Sequence, residues 1–130
     1  MWLKNSLFIS KQLILIGREK YDCVQNNCYR FKEKYGDCFA YHYVILYLGY
    51  YTKDYDMSYS SFYWLVKNNK AKRKLIDWGI SLFIEKIIAF EKRYETARKR
   101  IDELSSLEGL NSGQIQKLKN ILTYLNTKLY

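Results

Sequence analysis

AKRKLIDWGISLFIEKIIAFEKRYETARKRIDEL, residues 71–104, contains apolar side chains whose spacing alternates between four and three residues without a break. This alternation is the heptad pattern of an α-helix with one narrow apolar seam. The seam positions are Ile76, Ile80, Phe83, Ile87, Phe90, Tyr94, Ala97, Ile101 and Leu104. The stretch therefore predicts a single long helix from Ala71 to about Ser106.

The heptad pattern resumes after a short connection and predicts a second helix. Its seam positions are Ile115, Leu118, Leu122, Leu125 and Leu129. The connection SSLEGLNSG, residues 105–113, contains Gly109, Asn111 and Gly113, which favour a turn. Ser112 is a suitable N-cap for the second helix. Residues 70–130 are thus expected to form an antiparallel helical hairpin.

Residues 1–69 are expected to form an aromatic-rich helical region that packs on the hairpin, and the two parts are expected to fold as one cooperative domain. Gly36 suits the end of one helix, Asp37 the start of the next and Gly49 the end of that one. The alternative is a small β-hairpin with its turn at Gly36 and Asp37, which the aromatic content favours. The capping pattern decides for helices, and the fold class is predicted as mainly α.

The chain is basic. It has 22 Lys and Arg against 13 Asp and Glu, a formal net charge of +9 and a pI near 9.4. Such an excess favours phosphate, an anionic surface or an acidic protein as partner. A competing interpretation is codon bias, because Lys, Asn, Ile, Tyr and Phe are the residues that an AT-rich genome encodes. That composition also fits a protein encoded by a phage or another mobile element.

A cytoplasmic protein without membrane contact is expected. The longest apolar stretches fall far short of the roughly 20 residues that a bilayer span needs. Lys4 and Lys11 interrupt the apolar N-terminal segment, which therefore makes a poor signal peptide. Three cysteines, an odd number, fit reduced thiols better than disulfides. Homo-oligomerisation is left open.

All three cysteines and the only histidine lie within CVQNNCYRFKEKYGDCFAYH, residues 23–42. Four ligands of this kind would suit a closed structural zinc site. However, neither cysteine pair has the two-residue spacing of zinc knuckles, and a chain of this length can fold without metal. No cofactor is expected. If a metal is bound, its ligands are Cys23, Cys28, Cys38 and His42.

Two clusters of basic residues are candidate nucleic-acid contacts. The first comprises Lys67, Lys70, Lys72, Arg73 and Lys74, at the predicted start of the long helix. Cations are disfavoured there by the helix dipole, so a phosphate ligand would account for their position. The second comprises Arg93, Arg98, Lys99 and Arg100, and is interleaved with acids. The alternative for both is a solvated run of charges.

Signals of catalysis are nearly absent from the sequence. A single histidine excludes most histidine-dependent triads, and no glycine-rich phosphate loop is present. The chain is therefore expected not to be an enzyme. The favoured function is a non-catalytic accessory or regulatory protein that grips the phosphate backbone of DNA or RNA. The alternative is a module that docks on, and inhibits, an intracellular protein.

Overall fold

The computed structural model describes the backbone of residues 2–129 and the side chains of residues 3–129, and this part of the chain is helical with no strand. The predicted mainly α fold is confirmed, and the alternative β-hairpin around Gly36 and Asp37 is wrong. No helix within residues 2–129 is long and apolar enough to cross a membrane. The chain divides into two compact units, residues 1–65 and 66–130, whereas the sequence suggested a boundary after residue 69.

The first unit is built from α1 (Trp2–Gly17), α2 (Tyr21–Tyr35), α3 (Phe39–Thr52) and most of α4 (Tyr55–Lys67). Helices α1, α2 and α3 pack against one another in all three pairs. Their shared core is apolar and nearly free of solvent. It consists of Ile16 from α1, Val24 and Cys28 from α2, and Val44, Ile45 and Leu48 from α3.

The helix ends in this unit agree only partly with the sequence signals. Helix α2 ends at Tyr35 because Gly36 follows with a positive φ of 75° and an extended ψ of −168°, a combination that essentially only glycine adopts. Cys38, and not Asp37, is the N-cap of α3. Gly49 does not end α3 but lies inside it, where α4 approaches closely. A Cβ built on Gly49 would lie 2.8 Å from the carbonyl oxygen of Asp54 and 2.8 Å from the Cβ of Ser58.

The second unit begins with a continuous helical stretch over residues 73–91. It consists of α5 (Arg73–Ile80), a π-helical segment (Ser81–Glu85) and α6 (Lys86–Glu91). The stretch ends at Lys92, which adopts a left-handed conformation with φ of 53°. The Ile87 carbonyl accepts hydrogen bonds from the N–H groups of both Lys92 and Arg93. The predicted single helix from Ala71 to about Ser106 is therefore wrong, because it breaks at Lys92.

Helix α7 (Tyr94–Ser105) turns back from this break and packs on the π-helical segment. The Nη1 atom of Arg100 donates a hydrogen bond of 2.9 Å to the carbonyl oxygen of Phe83. A π turn shifts the backbone hydrogen-bond register, so its carbonyls are open to such side-chain donors. Most seam residues are buried as expected, but Phe90, next to the break, is 80% exposed.

Helix α8 (Ser112–Leu129) packs against α7 and also reaches the 73–91 stretch. The Nε2 atom of Gln114 donates to the Asp77 carboxylate over 2.9 Å, and Lys117 pairs with Glu85 at 2.9 Å. The contact positions rise together along both helices, so α8 runs parallel to the 73–91 stretch. Three helical segments thus replace the predicted two-helix hairpin of residues 70–130.

Candidate nucleic-acid interface

The basic segment, residues 67–74, connects α4 to α5 in the second unit. Lys67 is the last residue of α4, and Asn69 turns the chain in a left-handed conformation with φ of 57°. Lys72 is then the extended N-cap of α5. All five basic residues of the segment have exposed side chains, namely Lys67, Lys70, Lys72, Arg73 and Lys74. The first predicted cluster is therefore held together on one short surface segment.

These five cations lack acidic partners within the part of the chain that the structure describes. None of them forms an ion pair with a carboxylate of residues 2–129. The nearest following acid in sequence, Asp77, instead accepts the hydrogen bond from Gln114. The cations therefore repel one another without internal compensation, and an external anion would relieve that repulsion.

Two helices of the second unit begin beside the basic segment. The N-cap of α5 makes no side-chain hydrogen bond to the first turn of its helix. Gln114, in the first turn of α8, approaches the Arg73 carbonyl with its Nε2 atom at 3.3 Å. Because α5 and α8 start at the same end of the unit, the positive ends of both helix dipoles add to the charge of the lysines and the arginine.

The start of α8 is fixed by a reciprocal pair of hydrogen bonds. The Asn111 side-chain oxygen accepts from the Gln114 N–H over 2.8 Å, and the Gln114 side-chain oxygen accepts from the Asn111 N–H over 2.9 Å. This arrangement is a capping box, with Asn111 in the place that the sequence suggested for Ser112. It leaves the Gln114 amide nitrogen free to bind α5.

The loop between α7 and α8 holds the start of the basic segment in place. A Cβ built on Gly109 would lie 3.0 Å from the Val66 carbonyl oxygen and 3.5 Å from the Asn69 side-chain oxygen. The N–H of Asn69 also donates to the Val66 carbonyl over 3.1 Å. Glycine at position 109 permits this approach, so the segment is supported by a backbone contact and not only by its own helix ends.

The second predicted cluster is divided between different environments. Lys99 is exposed, whereas Arg93 and Arg98 are half-buried and Arg93 lies 3.7 Å from the Glu91 carboxylate. Arg100 is buried, and its guanidinium binds the Phe83 carbonyl. Arg100 is thus a residue of the helix packing, and it is not available to a phosphate at the surface.

The four metal-ligand candidates are not gathered around one point. Within residues 2–129, no group of three or more His, Cys, Asp and Glu side chains is arranged to hold a metal ion. Cys23 is exposed, Cys38 half-buried and Cys28 buried. Burial raises the pKa of the Cys28 thiol to about 12, which opposes the thiolate that zinc requires.

His42 forms part of a buried polar network instead. Its Nε2 atom lies 2.8 Å from the Asp37 carboxylate, and its Nδ1 atom lies 3.0 Å from the Ser61 hydroxyl. Its ring stacks on Trp64 with centroids 4.2 Å apart. Asp37 accepts a hydrogen bond, so in the neutral ring Nε2 carries the proton and Nδ1 accepts from Ser61. Both nitrogens are engaged, and neither is free for a metal.

This arrangement contains the residue types of a serine hydrolase triad, but the nucleophile is not accessible. Ser61 is only 3% exposed and lies within α4, so a substrate carbonyl could not reach its hydroxyl. The network instead joins the α2–α3 connection to α3 and α4. Burial lowers the pKa of His42, and the hydrogen bond with Asp37 opposes that effect only in part. Sequence reasoning missed this network because Ser61 carries no motif that relates it to His42.

The tyrosine-rich stretch of α3 and α4 packs mainly against itself. Tyr43 and Tyr47 have ring centroids 5.0 Å apart, and burial raises the pKa of Tyr47 to about 12. Tyr59 is buried, and Tyr51 is the member of the stretch with an exposed ring. These rings pack within the first unit. They do not form a continuous exposed aromatic surface on which nucleic-acid bases could stack.

Comparison with known proteins gives no relative: no protein-family model, curated protein or solved structure matches the chain.

Proposed function

We propose that the protein is a non-catalytic nucleic-acid-binding protein whose basic segment grips the phosphate backbone in the cytoplasm. One observation carries this proposal: five exposed cations lie on eight consecutive residues without acidic partners among residues 2–129. A set of like charges at the positive ends of two helices costs stability. Binding to phosphate offsets that cost, because each contact also releases counterions from the nucleic acid.

The chemistry of the segment favours contacts with the backbone over contacts with bases. Lysines are flexible point charges, and Arg73 adds one planar fork that suits two phosphate oxygens. The uncapped first turn of α5 offers backbone N–H groups to the same anion. Backbone contacts carry little sequence information. We therefore expect similar affinity for unrelated sequences in either DNA or RNA.

The remaining candidates take different places in this proposal. Lys99 and the half-buried Arg93 and Arg98 remain secondary candidates, which would contact a longer ligand. Arg100 supports α7 through the Phe83 carbonyl and is not assigned a phosphate.

Fluorescence anisotropy of the wild-type protein tests the proposal. Labelled duplex and single-stranded oligonucleotides of several sequences are titrated at several salt concentrations. Binding should occur near physiological salt, and log Kd should change steeply and linearly with log salt. Absence of binding to every oligonucleotide under these conditions would contradict the proposal and favour docking on a protein.

A specific observation supports docking on an intracellular protein as the second candidate. Leu3, Leu7 and Ile14 of α1 have more than half of their side-chain surface exposed. Their spacing places them on one face of the helix. Binding through such an apolar face would depend weakly on salt, which separates this candidate from the first in the same series of measurements.

A further inference from the structure

A surface groove lies between α1 and α2 in the first unit, with a volume of about 290 Å³. This volume is near the lower end for sites that bind small molecules. Three basic side chains line it, Lys11 from α1 and Arg30 and Lys34 from α2, and no acidic side chain does. None of these three residues belongs to the two basic clusters that the sequence indicates.

The floor and walls of the groove are held by contacts between the two helices. The rings of Phe8 and Phe31 stack with centroids 3.9 Å apart. The Nδ2 atom of Asn27 donates to the side-chain oxygen of Gln12 over 3.1 Å, and Gln12 is only 2% exposed. An apolar aromatic wall thus adjoins a fixed pair of amides, which gives the groove both a hydrophobic and a hydrogen-bonding part.

The charges of the groove are uncompensated within the described residues. Lys11, Arg30 and Lys34 form no ion pair with any carboxylate of residues 2–129. Arg30 and Lys34 are four residues apart on α2 and lie on the same face, where like charges destabilise a helix. A bound anion would reduce this repulsion. The positive charge of the groove therefore indicates a negatively charged ligand.

We propose that this groove binds a nucleoside phosphate. Arg30, Lys34 and Lys11 hold the phosphate, with Arg30 offering two parallel N–H donors. The aromatic wall at Phe8 contacts the apolar part of the nucleoside, and the Asn27 amide meets the polar edge of the base. A purely hydrophobic acid would leave the half-buried Asn27 amide facing apolar atoms, which is costly for a polar group removed from water.

This site is in a different unit from the basic segment and does not depend on the function proposed for it. The source of the phosphate is either a free nucleotide or the terminal nucleotide of a strand, and both present the same chemistry. Titration with adenosine 5′-monophosphate and with a short 5′-phosphorylated single strand compares the two sources directly.

Two-dimensional ¹H–¹⁵N NMR of the full chain provides the test, because it reports the side-chain amides of Gln12 and Asn27 directly. Adenosine 5′-monophosphate should shift these amides and the backbone signals around Arg30 in a saturable manner. Adenosine and inorganic phosphate should each bind at least about tenfold more weakly, since each lacks one part of the ligand. Equal binding of inorganic phosphate would overturn the assignment to a nucleotide.

The double variant Arg30→Gln with Lys34→Gln should lose at least about tenfold in affinity, the usual effect of removing a charged hydrogen bond. Glutamine has a helix propensity close to that of Arg and Lys, so α2 should persist. The double variant Arg18→Gln with Lys53→Gln, at exposed positions outside the groove, removes the same charge as a matched control and should bind like the wild type. Unchanged affinity in the Arg30 and Lys34 double variant, or no shifts at Gln12 and Asn27 with millimolar nucleotide, would overturn the proposal.

Discussion

Gly49→Ala tests the close packing of α3 against α4. Gly49 lies inside α3, and a methyl group there would meet the Asp54 carbonyl oxygen at 2.8 Å and the Ser58 backbone nitrogen at 2.9 Å. Both are backbone atoms, so no side-chain rotation can relieve the overlap. Ser58 is itself fixed, because its hydroxyl donates to the Leu46 carbonyl over 2.6 Å. The first turn of α4 must therefore move away from α3.

Two opposing effects decide the sign of the change in stability. Alanine gains about 1 kcal/mol over glycine in a helix interior. Overpacking a close helix contact costs about 1–3 kcal/mol, and contacts with backbone belong to the upper part of that range. The overpacking cost of about 3 kcal/mol exceeds the gain in helix propensity of about 1 kcal/mol. The free energy of unfolding should therefore fall by about 2 kcal/mol.

Urea unfolding followed by far-ultraviolet circular dichroism measures this loss. With a denaturant slope of about 2 kcal/mol per molar, the midpoint should fall by about 1 M. Gly17→Ala is the control, because Gly17 is the last residue of α1 and an added Cβ meets nothing within 4 Å. The control should be unchanged or slightly more stable. A Gly49→Ala protein as stable as the wild type would refute the close approach of the two helices.

Two further predictions concern the stability of the protein and depend on the buried side chains of Ile101 and His42. Ile101→Asp places an unpaired charge at a position that is 1% exposed, which should cost several kcal/mol in urea unfolding, whereas Lys99→Asp on the exposed face of α7 should change little. The pKa of His42 is lower in the folded chain than in the unfolded chain, where it is 6.5. Protonation of His42 therefore favours the unfolded chain, and the free energy of unfolding should fall as the pH drops below 6.5. His42→Gln should be less stable at neutral pH and should lose this pH dependence between pH values of about 7.5 and 5; a wild-type protein with flat stability over that interval would contradict the neutral buried ring.

The heptad pattern predicted which side chains are buried better than it predicted the path of the chain. Ile76, Ile80, Ile101 and Leu104 are all buried. The pattern is nevertheless continuous across Lys92, where the helix ends and the chain reverses. No glycine or proline marks that position in the sequence. A seam with the same spacing can pack as one long helix or as two helices folded together, and only the contacts between the two parts distinguish these outcomes.

The reversal at Lys92 depends on contacts that are distant in sequence. Arg100 binds the carbonyl of Phe83 in the π-helical segment, and neither residue carries a local signal of this pairing. In sequence Arg100 resembles its basic neighbours, and the sequence alone therefore groups it with the nucleic-acid contacts. Its burial separates it from exposed Lys99, which has the same charge and adjoins it in sequence.

Gly49 shows the same limit for a turn residue. A glycine after an apolar run is a common helix end. The α3 helix nevertheless continues to Thr52, because the space that the missing Cβ leaves is filled by α4. Gly36, by contrast, ends α2 as its sequence context suggested, since the ability to adopt its positive φ is a local property of glycine.

The candidate site could be predicted in part because its residues are contiguous. The five cations of residues 67–74 share a surface through sequence proximity alone. The N-termini of α5 and α8 lie together beside these cations because the Gln114 side chain contacts the Arg73 carbonyl, which is 41 residues away in sequence. The α1–α2 groove was not predictable in this way, since Lys11 lies far in sequence from Arg30 and Lys34.

The change in salt dependence on removing the basic segment's charges tests the proposed function most directly. The four-site variant replaces Lys70, Lys72, Arg73 and Lys74 with Gln. The matched control removes the same charge from elsewhere in the second unit, with Gln at exposed positions Lys86, Lys92, Lys119 and Lys128. Anisotropy is measured for both on duplex and single-stranded oligonucleotides at several salt concentrations.

The four-site variant should bind all sequences more weakly. Its log–log salt slope on duplex should flatten by about 0.9 for each phosphate that the protein no longer neutralises, hence by up to about 3.6. Its fold should remain intact or become slightly more stable, because the removed charges oppose the helix dipole. The control should keep most of the wild-type slope. Unchanged binding by the four-site variant, or an equal decrease in both variants, would contradict the assignment of the basic segment as the phosphate-binding surface.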